Sequence, residues 1–150
     1  MHLFLLILNL KKRRTLPLSK EVLRVSREQD VVLLRNQVKA QAIKIKMGIV
    51  NQTKLLTAAS ELVRNLLRYG GGGEVSIEIV TCGRNQGVHL VFSDKGPGIP
   101  DIDKAMTDGF STGKSLGLGL PGTKRLVNEF EIKSQPGIGT IVSIIKYANG

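Results

Sequence analysis

A strand that ends on a carboxylate and runs directly into a glycine–proline turn limits what this chain can build. Val88-His-Leu-Val-Phe-Ser93 carries Val88, Leu90 and Phe92 on one face, the two-residue period of a half-buried strand. Asp94-Lys-Gly-Pro-Gly-Ile-Pro100 follows, and its two glycines let backbone approach a flat ligand closely. A carboxylate can accept a hydrogen bond from an exocyclic amine, and adenine presents an amine where guanine presents an acceptor oxygen. Asp94 is therefore a candidate adenine reader. Taken alone, the stretch reads equally well as an ordinary Asp-Gly-Pro surface turn.

Two other stretches bear on that choice. Upstream, Glu61-Leu-Val-Arg-Asn65 sits inside an apolar-periodic segment; downstream comes Gly117-Leu-Gly-Leu-Pro-Gly122. In this order the three resemble the N, G1 and G2 boxes of the GHKL ATPases, a group that includes DNA gyrase, MutL, histidine kinases and the anti-sigma-factor serine kinases. Gly137-Ile-Gly-Thr140 resembles the fourth element, whose threonine assists adenine binding. The resemblance runs from about residue 20 to residue 147. Gly-Pro-Gly-Ile-Pro-Asp, Asp-Gly-Phe-Ser-Thr and Gly-Leu-Pro-Gly-Thr-Lys-Arg-Leu look closest to the small switch kinases of bacterial stress signalling.

The resemblance implies a site for ATP or ADP with Mg²⁺ and gives its residues roles. Asp94 and Thr140 would receive adenine, with Gly96, Gly98 and Ile99 forming the turn beside it. Asn65 would offer its side-chain carbonyl oxygen, a hard ligand suited to Mg²⁺, which keeps phosphates and waters in the rest of its octahedron. Backbone N–H groups of Gly117, Leu118, Gly119, Leu120 and Gly122 would cradle the β- and γ-phosphates. Lys114 and Arg68 are candidate γ-phosphate contacts. Glu61, one helical turn from Asn65, would be the general base, acting on water or on a protein serine.

The remaining segments read as follows. Glu21 to Val25 is a β-rich run expected at a sheet edge. Asp30 is expected to cap a helix through about Met47, with Val31, Leu34, Val38, Ala42 and Ile45 at core spacing. A second helix is expected from about Gln52 to Tyr69, with Leu55, Ala59, Leu62, Val63 and Leu66 as its buried stripe. Gly70 to Gly73 would end it in a mobile connection. Glu74 to Cys82 alternates as a strand with one wet face, and His89 reads as structural or solvent-facing. Asp101 to Thr107 is a candidate short helix, and Met106 and Phe110 would cover apolar surface near the site. Residues 109 to 119 suit a loop closing over phosphate. Pro121 would open a helix through about Phe130. Glu131–Gln135 and Thr140–Tyr147 form a hairpin around Pro-Gly-Ile-Gly. The expected class is α+β: a two-layer sandwich with helices on one face of a mixed, mainly antiparallel sheet, in agreement with the Bergerat-type ATP-binding fold that the resemblance implies.

Composition narrows the partners. The formal charge is +10, but Lys11, Lys12, Arg13 and Arg14 supply four of those charges, and the other cations are spread among acids. With no tryptophan, two tyrosines and four phenylalanines, base-stacking platforms are poorly supplied, so no nucleic-acid partner is expected. One cysteine, Cys82, excludes an internal disulfide and fits a reducing cytoplasm. Met1 to Leu10 is apolar but too short to span a bilayer, and its positive charge follows the apolar stretch, the reverse of a secretory signal. Residues 1–18 are thus expected to stand apart from the domain at 19–150, with no stable membrane insertion. They read as a weak membrane-surface anchor, a partner-binding arm or residues translated upstream of the natural start; the last is favoured because the resemblance begins near Ser19.

Three function classes remain. A partner-switching protein serine kinase would phosphorylate a serine on a STAS-domain protein and engage a phosphatase or other regulator. A nucleotide-binding interaction module, such as an anti-sigma factor, would bind without much turnover. A stand-alone histidine kinase catalytic domain would take its phosphoacceptor histidine from another chain, because His2 and His89 lie on no dimerising helix.

Overall fold

The computed structural model describes residues 14–15, 20–99, 102–106 and 119–150. In chain order they form β1 (Arg14–Thr15), β2 (Glu21–Val25), α1 (Glu28–Lys44), α2 (Ile49–Gly70), β3 (Gly73–Cys82), β4 (Asn85–Asp94), α3 (Ile102–Ala105), α4 (Gly119–Leu126), β5 (Glu129–Gln135) and β6 (Gly139–Tyr147). The strands lie in the order β1-β3-β4-β6-β5, with β2 also on β3. Every described pairing is antiparallel, so the parallel component of the expected mixed sheet is not found there. Short hairpin turns join β3 to β4 and β5 to β6, and a short turn can only reverse the chain. Within the N-terminal extension, Arg14 and Thr15 pair with Thr81 and Val80 of β3.

Alternation in the strands makes the core. Val75, Ile77 and Ile79 of β3, Val88, Leu90 and Phe92 of β4, and Val142 and Ile144 of β6 share a cluster with Val31, Leu34, Val38 and Ala42 of α1 and Leu55, Ala59, Leu62, Val63 and Leu66 of α2. Each Val, Leu, Ile or Phe side chain of this set, fully buried, contributes about 1.5–3 kcal/mol. The other sheet face is wet along β3, where Glu74 and Cys82 are exposed and Ser76 and Glu78 half-buried, but its centre is covered: Val80, His89, Val91, Ile141, Ser143 and Ile145 are all buried. His89 lies between strands, its Nδ1 3.0 Å from Glu78 Oε1 and its Nε2 2.8 Å from Ser143 Oγ. It is structural and buried, not solvent-facing, because both ring nitrogens find partners across the sheet.

Two helix ends differ from expectation. Asp30 is not the N-cap of α1; that position is Arg27. Asp30 sits in the first turn and reaches back, Oδ2 accepting the Ser26 N–H at 2.9 Å and the Arg27 N–H at 3.0 Å. These donors, Ser26 first, hold its carboxyl below the usual carboxylate range. The helix expected through Phe130 stops at Leu126. There the Asn128 N–H donates to the Ile145 carbonyl at 2.9 Å, and Asn128 Oδ1 accepts the Tyr147 N–H at 2.8 Å. Capture by β6 draws Phe130 into β5, opposite Ile144.

Candidate functional site

Asp94 is the last residue of β4, paired in register with Thr140 near the start of β6. Alternation puts both on the sheet face that carries the helices, in line with Phe92 and Val142. Oδ1 of Asp94 accepts the Gly96 N–H at 2.9 Å, an Asx-type turn that orients the carboxylate as the chain leaves the strand. The C-terminal end of α2 lies directly against it. A Cβ on Gly70 would stand 2.6 Å from both Cβ and Cγ of Asp94, so no larger residue fits there. The segment expected as a mobile connection is therefore packed against the end of β4 at Gly70 and at Gly73, where a Cβ would meet the Ser93 carbonyl oxygen, while a Cβ on Gly71 would meet nothing within 4 Å.

That contact brings α2 alongside the strand end. Asn65 is five residues before Gly70, about 7.5 Å along the helix, and Glu61 one turn further back. Both are half-buried. The Glu61 side chain is 18% exposed, with Arg64 Nη1 3.8 Å from Oε1. Arg68 is exposed, and its guanidinium stands 5.9 Å from the Tyr69 ring centroid, a cation–π contact of the weak, solvated kind.

The turn after Asp94 is held by the β5–β6 hairpin. The Gly137 N–H donates to the Pro97 carbonyl at 2.8 Å, and the Ile99 N–H to Ser134 Oγ at 2.6 Å. Ser134 Oγ also lies 2.8 Å from Thr140 Oγ1 and 3.2 Å from the Gly139 carbonyl oxygen. Gly98 has φ +80°, and a Cβ on it would meet the Gln135 carbonyl oxygen at 2.5 Å. Left-handed backbone and this close approach both require glycine. Ser134 escaped the sequence reading. Its signal was the hairpin register, which sets Ser134 opposite Thr140.

Gly119, Leu120 and Gly122 occupy the start of α4, with Gly119 at φ +67°. Pro121 is the third residue of this helix, not the first. Thr123, fully buried, donates its hydroxyl to the Gly119 carbonyl at 2.9 Å, and Leu120 and Leu126 pack on the core. The helix lies against α2. Lys114, Gly117, Leu118 and Phe110 lie outside the described residues. The structure thus brings Asp94, Gly96, Gly98, Ile99 and Thr140 together, with the helix of Glu61 and Asn65 packed beside them.

The chemistry of this donor set suits a metal that arrives bound to phosphate. Among the described residues no three His, Cys, Asp or Glu side chains converge, whereas the half-buried amide of Asn65 can contribute one hard oxygen to an otherwise solvated and phosphate-bound Mg²⁺.

Comparison with known proteins gives one consistent picture. Residues 50–148 match the family described as histidine kinase-, DNA gyrase B- and HSP90-like ATPase. The chain is 44% identical over 124 residues to the serine/threonine-protein kinase RsbT of Bacillus subtilis, covering 83% of this chain and 93% of that protein. It is 31% identical over 129 residues to the anti-sigma F factor of a Thermoanaerobacter species, covering 82% and 89%. Among solved structures, the RsbU and RsbW domains of a Mycobacterium tuberculosis protein align with TM-score 0.58 at 16% identity, over 87% of this chain and 32% of that one. The mycobacterial sensor histidine kinase MprB aligns with TM-score 0.52 at 20% identity, over 85% of this chain and 96% of that one. At these identities the structural likeness concerns the fold.

Proposed function

Because the chain belongs to the histidine kinase-, DNA gyrase B- and HSP90-like ATPase family, we propose that it is an ATP-dependent protein serine kinase that signals by switching partners. The observation that carries this reading is the alignment of Asp94 with Thr140 at one end of the sheet, with the helix of Glu61 and Asn65 packed against Asp94 through Gly70. Relatives named as a serine/threonine kinase and as anti-sigma factors support it.

In this reading Asp94 accepts a hydrogen bond from the adenine amine and Thr140 lines the same pocket. Backbone N–H groups at the start of α4 receive phosphate oxygens, favoured by the positive end of the helix, with Gly117, Leu118 and Lys114 completing the cradle. Mg²⁺, when bound, supplies charge neutralisation on the phosphates, and Asn65 is the side chain that would hold it. Glu61 takes the proton of the acceptor serine as that oxygen bonds to the γ-phosphorus. The bond from the γ-phosphorus to the bridging oxygen breaks, and ADP leaves with the electron pair. A positioned base of this kind contributes about 10² to 10⁴ in rate.

The acceptor is a serine on a STAS-domain protein, and a phosphatase or other regulator is engaged once the phosphorylated acceptor departs. A phosphate dianion placed at the interface provides the switch. Action in the cytoplasm fits this role; no described helix is long and apolar enough to cross a membrane. The similarity to anti-sigma F factors supports a second reading, a nucleotide-dependent binding module with little turnover. Transfer of labelled phosphate from ATP to a STAS protein separates the two: the kinase reading requires stoichiometric serine labelling, and the binding-module reading requires complex formation without it.

A further inference from the structure

Ser134 sits at the junction of three elements that meet around the proposed adenine pocket. Its hydroxyl has one proton to donate and two lone pairs to receive. The Ile99 N–H, 2.6 Å away, can only donate to it, and the Gly139 carbonyl, at 3.2 Å, can only accept from it. The third neighbour, Thr140 Oγ1 at 2.8 Å, can do either. All three contacts are satisfied together in one arrangement, with Ser134 donating to Gly139 and accepting from both Ile99 and Thr140. Thr140 then spends its proton on Ser134, and its oxygen is left as an acceptor on the same sheet face as the Asp94 carboxylate.

We infer that Ser134 determines base specificity: it holds Thr140 as a hydrogen-bond acceptor beside Asp94 and so tunes the pocket to an exocyclic amine over a carbonyl oxygen. Two acceptors side by side match the amine of adenine and oppose the O6 oxygen of guanine. Freed from Ser134, the Thr140 hydroxyl can turn and donate, which suits guanine. Ser134 touches no part of the nucleotide in this scheme; it is a positioning residue that acts through Thr140 and through the Ile99 amide. The inference rests on the adenine reading of Asp94.

The test compares ATP and GTP binding by calorimetry, in the presence of Mg²⁺, for the full chain and for Ser134→Ala, Ser134→Cys and Ser134→Thr. Ser134→Ala and Ser134→Cys are expected to narrow the preference for ATP over GTP about tenfold, the equivalent of one good base contact. Ser134→Cys keeps the volume should Ser134→Ala fold poorly, while its thiol is a poor acceptor. Ser134→Thr, which keeps a hydroxyl, should restore most of the preference, and a purely structural role would not produce that pattern. Hydrogen exchange at the Ile99 amide should accelerate in Ser134→Ala and return towards the unsubstituted rate in Ser134→Thr. An unsubstituted protein that prefers ATP, with Ser134→Ala and Ser134→Cys showing the same preference, overturns this inference alone. An unsubstituted protein without preference for ATP overturns the adenine reading and this inference with it.

Discussion

Gly70 at the end of α2 and Asp94 at the end of β4 touch so closely that a single added carbon on Gly70 would stand 2.6 Å from the Asp94 side chain. Through that contact the helix of Glu61 and Asn65 takes its position relative to the proposed base-reading strand. Gly70→Ala should therefore destabilise the fold by about 1–3 kcal/mol, the usual result of overpacking, and weaken ATP binding as well. Thermal melts and calorimetry on Gly70→Ala beside the unsubstituted protein check this; equal melting temperatures and equal ATP affinities would mean that the contact relaxes without cost.

Asp94 offers only acceptors, whereas an amide in its place can donate to guanine. Asp94→Asn should lower ATP affinity about tenfold or more and narrow the preference over GTP. Side-by-side titration of both nucleotides measures it.

The family and most of the sheet were legible in the sequence. The order of Glu61–Asn65, Asp94–Pro100, Gly117–Gly122 and Gly137–Thr140 carried the family, and the alternation of Val75, Ile77 and Ile79 carried the sheet. What escaped depends on contacts between distant segments. Gly70–Gly73 reads as a flexible run in isolation, and only the end of β4 lying against Gly70 and Gly73 turns those two glycines into a packing requirement. Ser134 is an unremarked polar residue in a strand until the hairpin register sets it opposite Thr140. The helical pattern after Pro121 continues locally to Phe130, but pairing with β6 through Asn128 overrides it. Asp30 has the composition of a cap, yet its carboxylate serves the preceding amides from inside the first turn.

Asn65 and Glu61 occupy one face of α2 but are assigned different steps. Asn65→Ala should lose the Mg²⁺-dependent part of nucleotide affinity, because a metal ligand acts in the ground state. Titrations with and without Mg²⁺ read this directly. An Asn65→Ala protein whose affinity still responds fully to Mg²⁺ would remove Asn65 from the metal site.

Acid stability should depend on Asp30. Its carboxyl is held below the ordinary value by the Ser26 and Arg27 amides, so the unfolded chain takes up a proton at higher pH than the folded one. The stabilisation is complete above the unfolded pKa of an aspartate and is lost as pH falls through the folded value. Asp30→Asn should flatten the acidic limb of a melting-temperature profile and leave the neutral plateau less dependent on this group. An unchanged acidic limb would show that other carboxylates govern it.

The most direct test of the central proposal is transfer of labelled γ-phosphate from ATP to a STAS-domain acceptor by the unsubstituted protein and by Glu61→Gln, with ATP affinity measured on the same samples. A general base acts in the transition state and contributes little to ground-state binding. The account predicts serine labelling by the unsubstituted protein and a fall of about 10² to 10⁴ in its rate for Glu61→Gln, at nearly unchanged ATP affinity. Labelling by Glu61→Gln at the unsubstituted rate, or no labelling by either protein despite ATP binding, would contradict it.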